Sequence, residues 1–172
     1  MLRTLIVSAL TFALPASASA QMASQCLSED EASGLFIFAL PATIKGLSRQ
    51  CEKTLPATST LVQGGPVMAA RYQIDADKAW PVARRAIGKL TATALAEAMT
   101  DNGARIVASE MMESAIAQQI KPKDCDTVER VVDALEPLPA RNLASLLLAL
   151  VEAGNKRDPE DSPFSLCRSD KR

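Results

Sequence analysis

The sequence predicts an all-α protein: a single bundle of about five or six helices, stapled by two disulfides and preceded by an N-terminal signal peptide. Three observations carry this. Apolar residues recur at i, i+3, i+4 and i+7 through most of the chain, and no alternating run bounded by turn residues marks a strand or hairpin. Four cysteines follow an export-type leader. Finally, 48% of the 172 residues are hydrophobic but only 3% are aromatic. A core built that way relies on small aliphatic side chains, which let helices approach closely. The length fits one domain, which buries roughly 68–70% of its unfolded surface.

The leader has three parts. Met1-Leu2-Arg3 supplies a positive start. Leu5 to Leu14 is apolar, interrupted by Ser8 and Thr11. Pro15 ends the run, and Ala18-Ser19-Ala20 fits the small-x-small pattern of signal-peptide cleavage. The run is too short for a membrane anchor, which needs about 20 residues. Ser24-Gln25 before Cys26 does not suit lipid attachment. The expectation is cleavage after residue 20, a helical domain over 21–154, and a tail over 155–172 tied back through Cys167. Leu143 to Val151 is the longest remaining apolar run, so no transmembrane anchor is expected. The expected location is periplasmic or secreted.

In the first helix, Ser28 and Glu31 form a capping box ahead of Ala32, Leu35, Phe36, Phe38, Ala39 and Leu40, with a kink or break expected at Pro41. Leu55 to Pro66 reads as a connector with one turn of helix at most, and Val67 to Tyr72 is undecided. A second long helix is expected from Lys78 to Met99, with Pro81 in its first turn and Asp101-Asn102-Gly103 as the turn that stops it. Ala104 to Ile120 follows, burying Val107, Met111, Met112, Ala115, Ile116 and Ile120. Asp126 caps the next helix, whose face is Val128, Val131, Val132 and Leu135. Pro137-Leu138-Pro139 separates it from a last helix, about Ala140 to Ala153. That helix is apolar on almost every side and is therefore expected in the middle of the bundle, with Gly154 as its stop. Phe164 and Leu166 are expected to tuck the tail into the body.

Cys26, Cys51, Cys125 and Cys167 are spaced too widely for the close ligand pairs of a zinc site, and no C-x-x-C is present. Two disulfides are expected, and their pairing stays open. If residues 26 to 51 form one straight helix, those two cysteines lie about 36 Å apart, against the roughly 7 Å that a bridge allows. Pairing Cys26 with Cys51 then requires a reversal at Pro41, with Cys125–Cys167 as the easier partner bridge.

Composition also bounds the chemistry. Lys+Arg 19 against Asp+Glu 20 gives a net charge of −1, which argues against nucleic acid as a partner. Histidine is absent, removing Ser/His/Asp and Cys/His catalytic pairs and His-ligated metal sites. No cofactor or phosphate-loop motif is present. Arg84, Arg85 and Lys89 form a candidate anion patch on one helix, set against the plainer reading of a solvated face. Glu110 and Glu113 are a candidate carboxylate pair, while Asp124 and Asp126 read as helix caps. Met68, Met99, Met111 and Met112 read as core filling or an adaptable groove. Trp80 is read as a core anchor, and with Tyr72 it would mark a recognition surface only if exposed. The sequence leans away from catalysis. It points to a non-catalytic envelope or secreted protein that binds another protein, with a carrier of a small apolar or amphiphilic ligand as the alternative. A histidine-independent hydrolase is the weakest of the three readings.

Overall fold

A computed structural model describes residues 26–91, 100–157 and 164–167. The leader expected over 1–20 lies outside the described residues, as does the 92–99 part of the expected second helix. Five α-helices make up the described fold: α1 (Glu29–Cys51), α2 (Gly65–Thr91), α3 (Asp101–Gln119), α4 (Cys125–Leu135) and α5 (Ala140–Arg157). Short turns of π-helix at Thr60–Gly64 and of 3-10 helix at Pro122–Asp124 precede α2 and α4. The protein is an all-α bundle with two disulfides.

The capping box forms as the sequence requires. Ser28 Oγ accepts the Glu31 N–H at 3.2 Å, and Glu31 Oε2 accepts the Ser28 N–H at 3.0 Å. Glu29, Asp30 and Glu31 also place negative charge on the positive end of the helix dipole. Pro41 removes the hydrogen bond to the Ile37 carbonyl, yet α1 runs through it without ending. The helix survives because it is the spine of the bundle. It packs against α2, α3 and α5, and its buried residues, from Ala32 to Cys51, surround the axis. Tertiary burial outweighs one lost backbone bond.

Several sequence expectations are corrected here. The last helix is not central: α5 leaves Leu146 41% and Leu150 59% exposed, because α1 already fills the middle. Gly154 does not stop α5, which continues to Arg157 with Lys156 and Arg157 complementing its last turn. Pro81 lies deep within α2 rather than in its first turn, because α2 begins at Gly65 and absorbs the undecided 67–72 segment. Asp101-Asn102-Gly103 is not a turn but the first turn of α3. Thr100 caps α3, its Oγ1 accepting the Gly103 N–H at 3.2 Å. Asp126 sits inside the first turn of α4 rather than capping it.

Close helix approach depends on small residues. A Cβ on Gly46 would stand 2.6 Å from the Glu113 carbonyl oxygen of α3, and one on Gly34 would stand 2.7 Å from Val82 of α2. Ala32, Ala42, Ala69, Ala83, Ala86 and Ala144 are wholly buried. The core divides into three zones. At the C-terminal end of α1, Ile44, Cys51, Leu61, Tyr72, Cys125 and Leu143 are among those that pack together. Midway, Phe38 and Trp80 meet with ring centroids 4.9 Å apart. At the N-terminal end, Leu27, Ala32, Leu35 and Ala86 are covered by Phe36, Leu148, Phe164 and Leu166.

Cys51 is bridged to Cys125, and Cys26 to Cys167. The unbroken α1 rules out a Cys26–Cys51 bridge, since it holds those cysteines at opposite ends of a 23-residue helix.

Candidate functional site

The candidate anion patch is largely answered from within the chain. Lys89 Nζ stands 2.7 Å from Glu31 Oε2, and Arg84 Nη1 stands 2.7 Å from Asp101 Oδ1. Arg85, on the exposed side of α2, donates to the Pro81 carbonyl at 3.1 Å. α2 supplies all three cations, and the starts of α1 and α3 bring up the two carboxylates. The Lys89 hydrogen bond, with that from the Ser28 backbone, holds the Glu31 carboxyl below its ordinary 4.5 despite its burial. An external anion would compete with these carboxylates.

The carboxylate pair is separated by its contacts. Glu113 binds Arg49 of α1 at 3.0 Å, whereas Glu110 faces outward. Asp124 precedes α4 but makes no side-chain cap bond. Among the described residues no three acidic or thiol side chains are grouped to hold a metal ion.

Trp80 and Tyr72 are both buried, so Trp80 anchors the core as expected and the pair does not mark a recognition surface. The Trp80 indole N–H donates to Asp101 Oδ1 at 2.9 Å. The Tyr72 hydroxyl donates to the Leu138 carbonyl at 2.6 Å, fixing the turn between α4 and α5. Arg71 beside it pairs with Glu136 at 2.8 Å and lies over the Tyr72 ring. The methionines do not share one groove. Met68 is in the core near Tyr72, Met112 packs between the other two zones, and Met111 is exposed. Met99 lies outside the described residues.

What the sequence reading missed is an outward apolar line on α3. Val107, Met111 and Ala115 recur at i, i+4 and i+8 and all are exposed, Met111 by 66%. The inward side of α3 is Ala104, Ala108, Met112, Ile116, Ala117 and Ile120, so Met112, Ile116 and Ile120 pack inward as expected while Val107, Met111 and Ala115 do not. Two apolar stripes on one helix cannot be ranked by hydrophobicity alone. The signal that separates them is the short alanines Ala104 and Ala108, which permit close packing against Phe38, Trp80 and Ala83. Val131 on α4 is likewise exposed where a buried position was expected.

The surface also carries open clefts. One of about 660 Å³ lies beside the π-helical turn, bordered by Thr60, Gln63, Val67, Arg71, Asp133 and Glu136. Another of about 550 Å³ includes Ile37, Asp75, Lys78 and Arg141 in its walls. Each mixes apolar side chains with charges of both signs.

No family model matches the chain, and no curated protein or solved structure is found to resemble it.

Proposed function

We propose that this is an exported, non-catalytic protein, periplasmic or secreted, that works by binding another protein through the outward apolar faces of α3 and α5. The observation that carries the reading is the exposed line Val107, Met111 and Ala115 on a helix whose other side is already packed. Exposed Leu146 and Leu150 give α5 a second such face. Helix faces with anchors at i and i+4 suit the groove of a protein partner. The charged side chains that catalysis would need to converge are instead paired with one another across helices. A small apolar ligand is less well served, because the clefts are bordered by charge. Export is supported by the leader in the sequence and by two disulfides, which persist in oxidising compartments. Among the described residues no helix is long and apolar enough to cross a membrane.

The test is purification of the full-length precursor's product from its native source, with intact mass and chemical cross-linking. The expected product begins at Gln21 and carries a stoichiometric protein partner. Met111→Glu combined with Leu150→Glu should abolish that association while leaving folding stability within about 0.5 kcal/mol, as is usual for exposed positions. A clean monomer without associates, or a partner retained undiminished by the double variant, would defeat the binding reading. An unprocessed chain with its leader intact would defeat the export reading.

A further inference from the structure

The two disulfides differ in what surrounds their sulfurs. Cys51 and Cys125 are 0% exposed and sit in the last turn of α1 and the first of α4, within the largest core zone. Cys26 and Cys167 are partly exposed and lie in non-helical segments. Those segments meet in a single parallel bridge. The Leu27 N–H donates to the Ser165 carbonyl and the Cys167 N–H to the Leu27 carbonyl, both at 2.9 Å. The Asn155 side chain adds a bond to the Phe164 carbonyl at 3.4 Å. Beneath this strap, Leu27 and Ala32 are 0% exposed. Phe164, against Phe36 with centroids 6.0 Å apart, and Leu166 complete their cover.

From this contrast we infer that Cys26–Cys167 is a site of thiol–disulfide exchange, and that its reduction releases the 164–167 strap while Cys51–Cys125 stays closed. The co-reactant is a dithiol reductant. Its thiolate attacks one sulfur of the bridge, the sulfur–sulfur bond breaks, and a mixed disulfide forms as the other cysteine leaves as thiolate and takes a proton. The second thiol of the reductant then attacks the mixed disulfide. The reductant ends as a disulfide and Cys26 and Cys167 as two thiols, with two electrons and two protons transferred. Access governs where such an attack occurs. The inner bridge joins two residues with no exposed surface, whereas the outer one joins two that are partly exposed. Once open, the four-residue strap keeps two backbone bonds, the Asn155 bond and the contacts of Phe164 and Leu166, set against an ordering entropy of about 1–2 kcal/mol for each residue, and without the covalent tie the entropy wins. Its departure uncovers Leu27, Ala32 and Phe36 at the start of α1. This inference does not depend on the binding function proposed above.

The experiment is graded reduction of the native, folded protein with dithiothreitol, quenched with N-ethylmaleimide and read by peptide mass spectrometry. Cys26 and Cys167 are expected to label at least about tenfold faster than Cys51 and Cys125, since thiol reactivity follows access. Hydrogen exchange on the partly reduced protein should then accelerate at the Leu27 and Cys167 amides and leave α1 and α2 protected. A Cys26→Ser, Cys167→Ser double variant should show that same exchange pattern without reductant. Simultaneous labelling of all four cysteines, or faster labelling of the inner pair, would overturn the selectivity. Unchanged exchange at Leu27 and Cys167 after the outer bridge opens would overturn the release.

Discussion

The two ends of α1 are fastened by the same kind of bond and behave as different materials. At the C-terminal end, Cys51 and Cys125 join two helices inside a zone that also holds Leu61, Tyr72 and Leu143. Further polar ties reinforce it. Gln50 reaches the Ile120 carbonyl at 2.9 Å and Ser48 the Leu61 carbonyl at 2.8 Å. At the N-terminal end, Cys26 and Cys167 join two extended segments over a thinner zone. The inner bond is one contact among many in a packed core, and the outer bond is the main hold on a strap. The lesson is that the contribution of a disulfide depends on whether the segment it closes would stay folded without it.

That comparison runs against simple loop arithmetic, which makes it testable. Cys26–Cys167 closes 141 residues and Cys51–Cys125 closes 74. Chain entropy alone therefore ranks the outer bridge slightly higher, by about 0.6 kcal/mol for a doubling of loop length. The packing predicts the reverse. Replacing Cys51 and Cys125 by Ala should cost about 2–5 kcal/mol, because unfolded-state freedom and core contact are lost together. Replacing Cys26 and Cys167 should cost less, under about 2 kcal/mol, because the freed strap gains entropy in the folded state too. Denaturant melts of the two double variants check this. A larger loss at the outer bridge would restore loop length as the deciding term.

The sequence made much of this legible, and the reasons it failed elsewhere are physical. The Ser28–Glu31 box and the Pro137-Leu138-Pro139 break are local signals, in which neighbouring residues decide the outcome, and the structure follows them. Small residues were rightly expected to allow close packing. Pro41 reads as a kink or break and Pro81 as a first-turn residue, yet α1 continues through Pro41 and Pro81 lies inside α2. Each costs one backbone bond, and long buried helices on either side outweigh it. The rotation of α3 was also misread, because Val107 and Met111 are larger than Ala104 and Ala108 and so attract an inward assignment. The smaller Ala104 and Ala108 are the ones that fit against Phe38, Trp80 and Ala83. As for function, a surface patch has no local sequence signature, and the cations Arg84 and Lys89 meet their carboxylates only across 17 and 58 residues of chain.

Gly46 sharpens the contrast at intermediate strength, because it lies toward the firmly packed end of α1. Gly46→Ala gains roughly 1 kcal/mol of helix propensity. Its Cβ, however, would meet a backbone oxygen of Glu113 at 2.6 Å and Ile116 at 3.2 Å. A backbone atom held within α3 cannot swing aside as a side-chain tip can. Overpacking should win, with a net loss of about 1–3 kcal/mol in thermal or denaturant unfolding. A neutral or stabilising result would mean that α3 shifts freely against α1, and that this end is softer than its packing implies.

The smallest effect belongs to the clasped end and depends on pH. Glu31 accepts from Lys89 and from the Ser28 backbone, and its carboxyl titrates below the ordinary 4.5. A depressed folded value means the contribution is fully present above 4.5 and is lost as pH falls through the lower, folded value. Lys89 is substantially solvent-exposed, so screening limits the effect to between a few tenths and about 1 kcal/mol. Glu31→Gln keeps a side chain able to complete the capping box but removes the charge. Its unfolding midpoint should therefore sit slightly below that of the parent at neutral pH, and the two should converge as pH drops below 4.5. Because Ser28 adjoins Leu27, acid should also lower the protection of the Leu27 amide, measured against its intrinsic exchange rate at each pH, before it affects Tyr72 and the core around it. Parallel midpoints across that range would show that Glu31 titrates no differently when folded, and that the two ends of α1 share one response to acid.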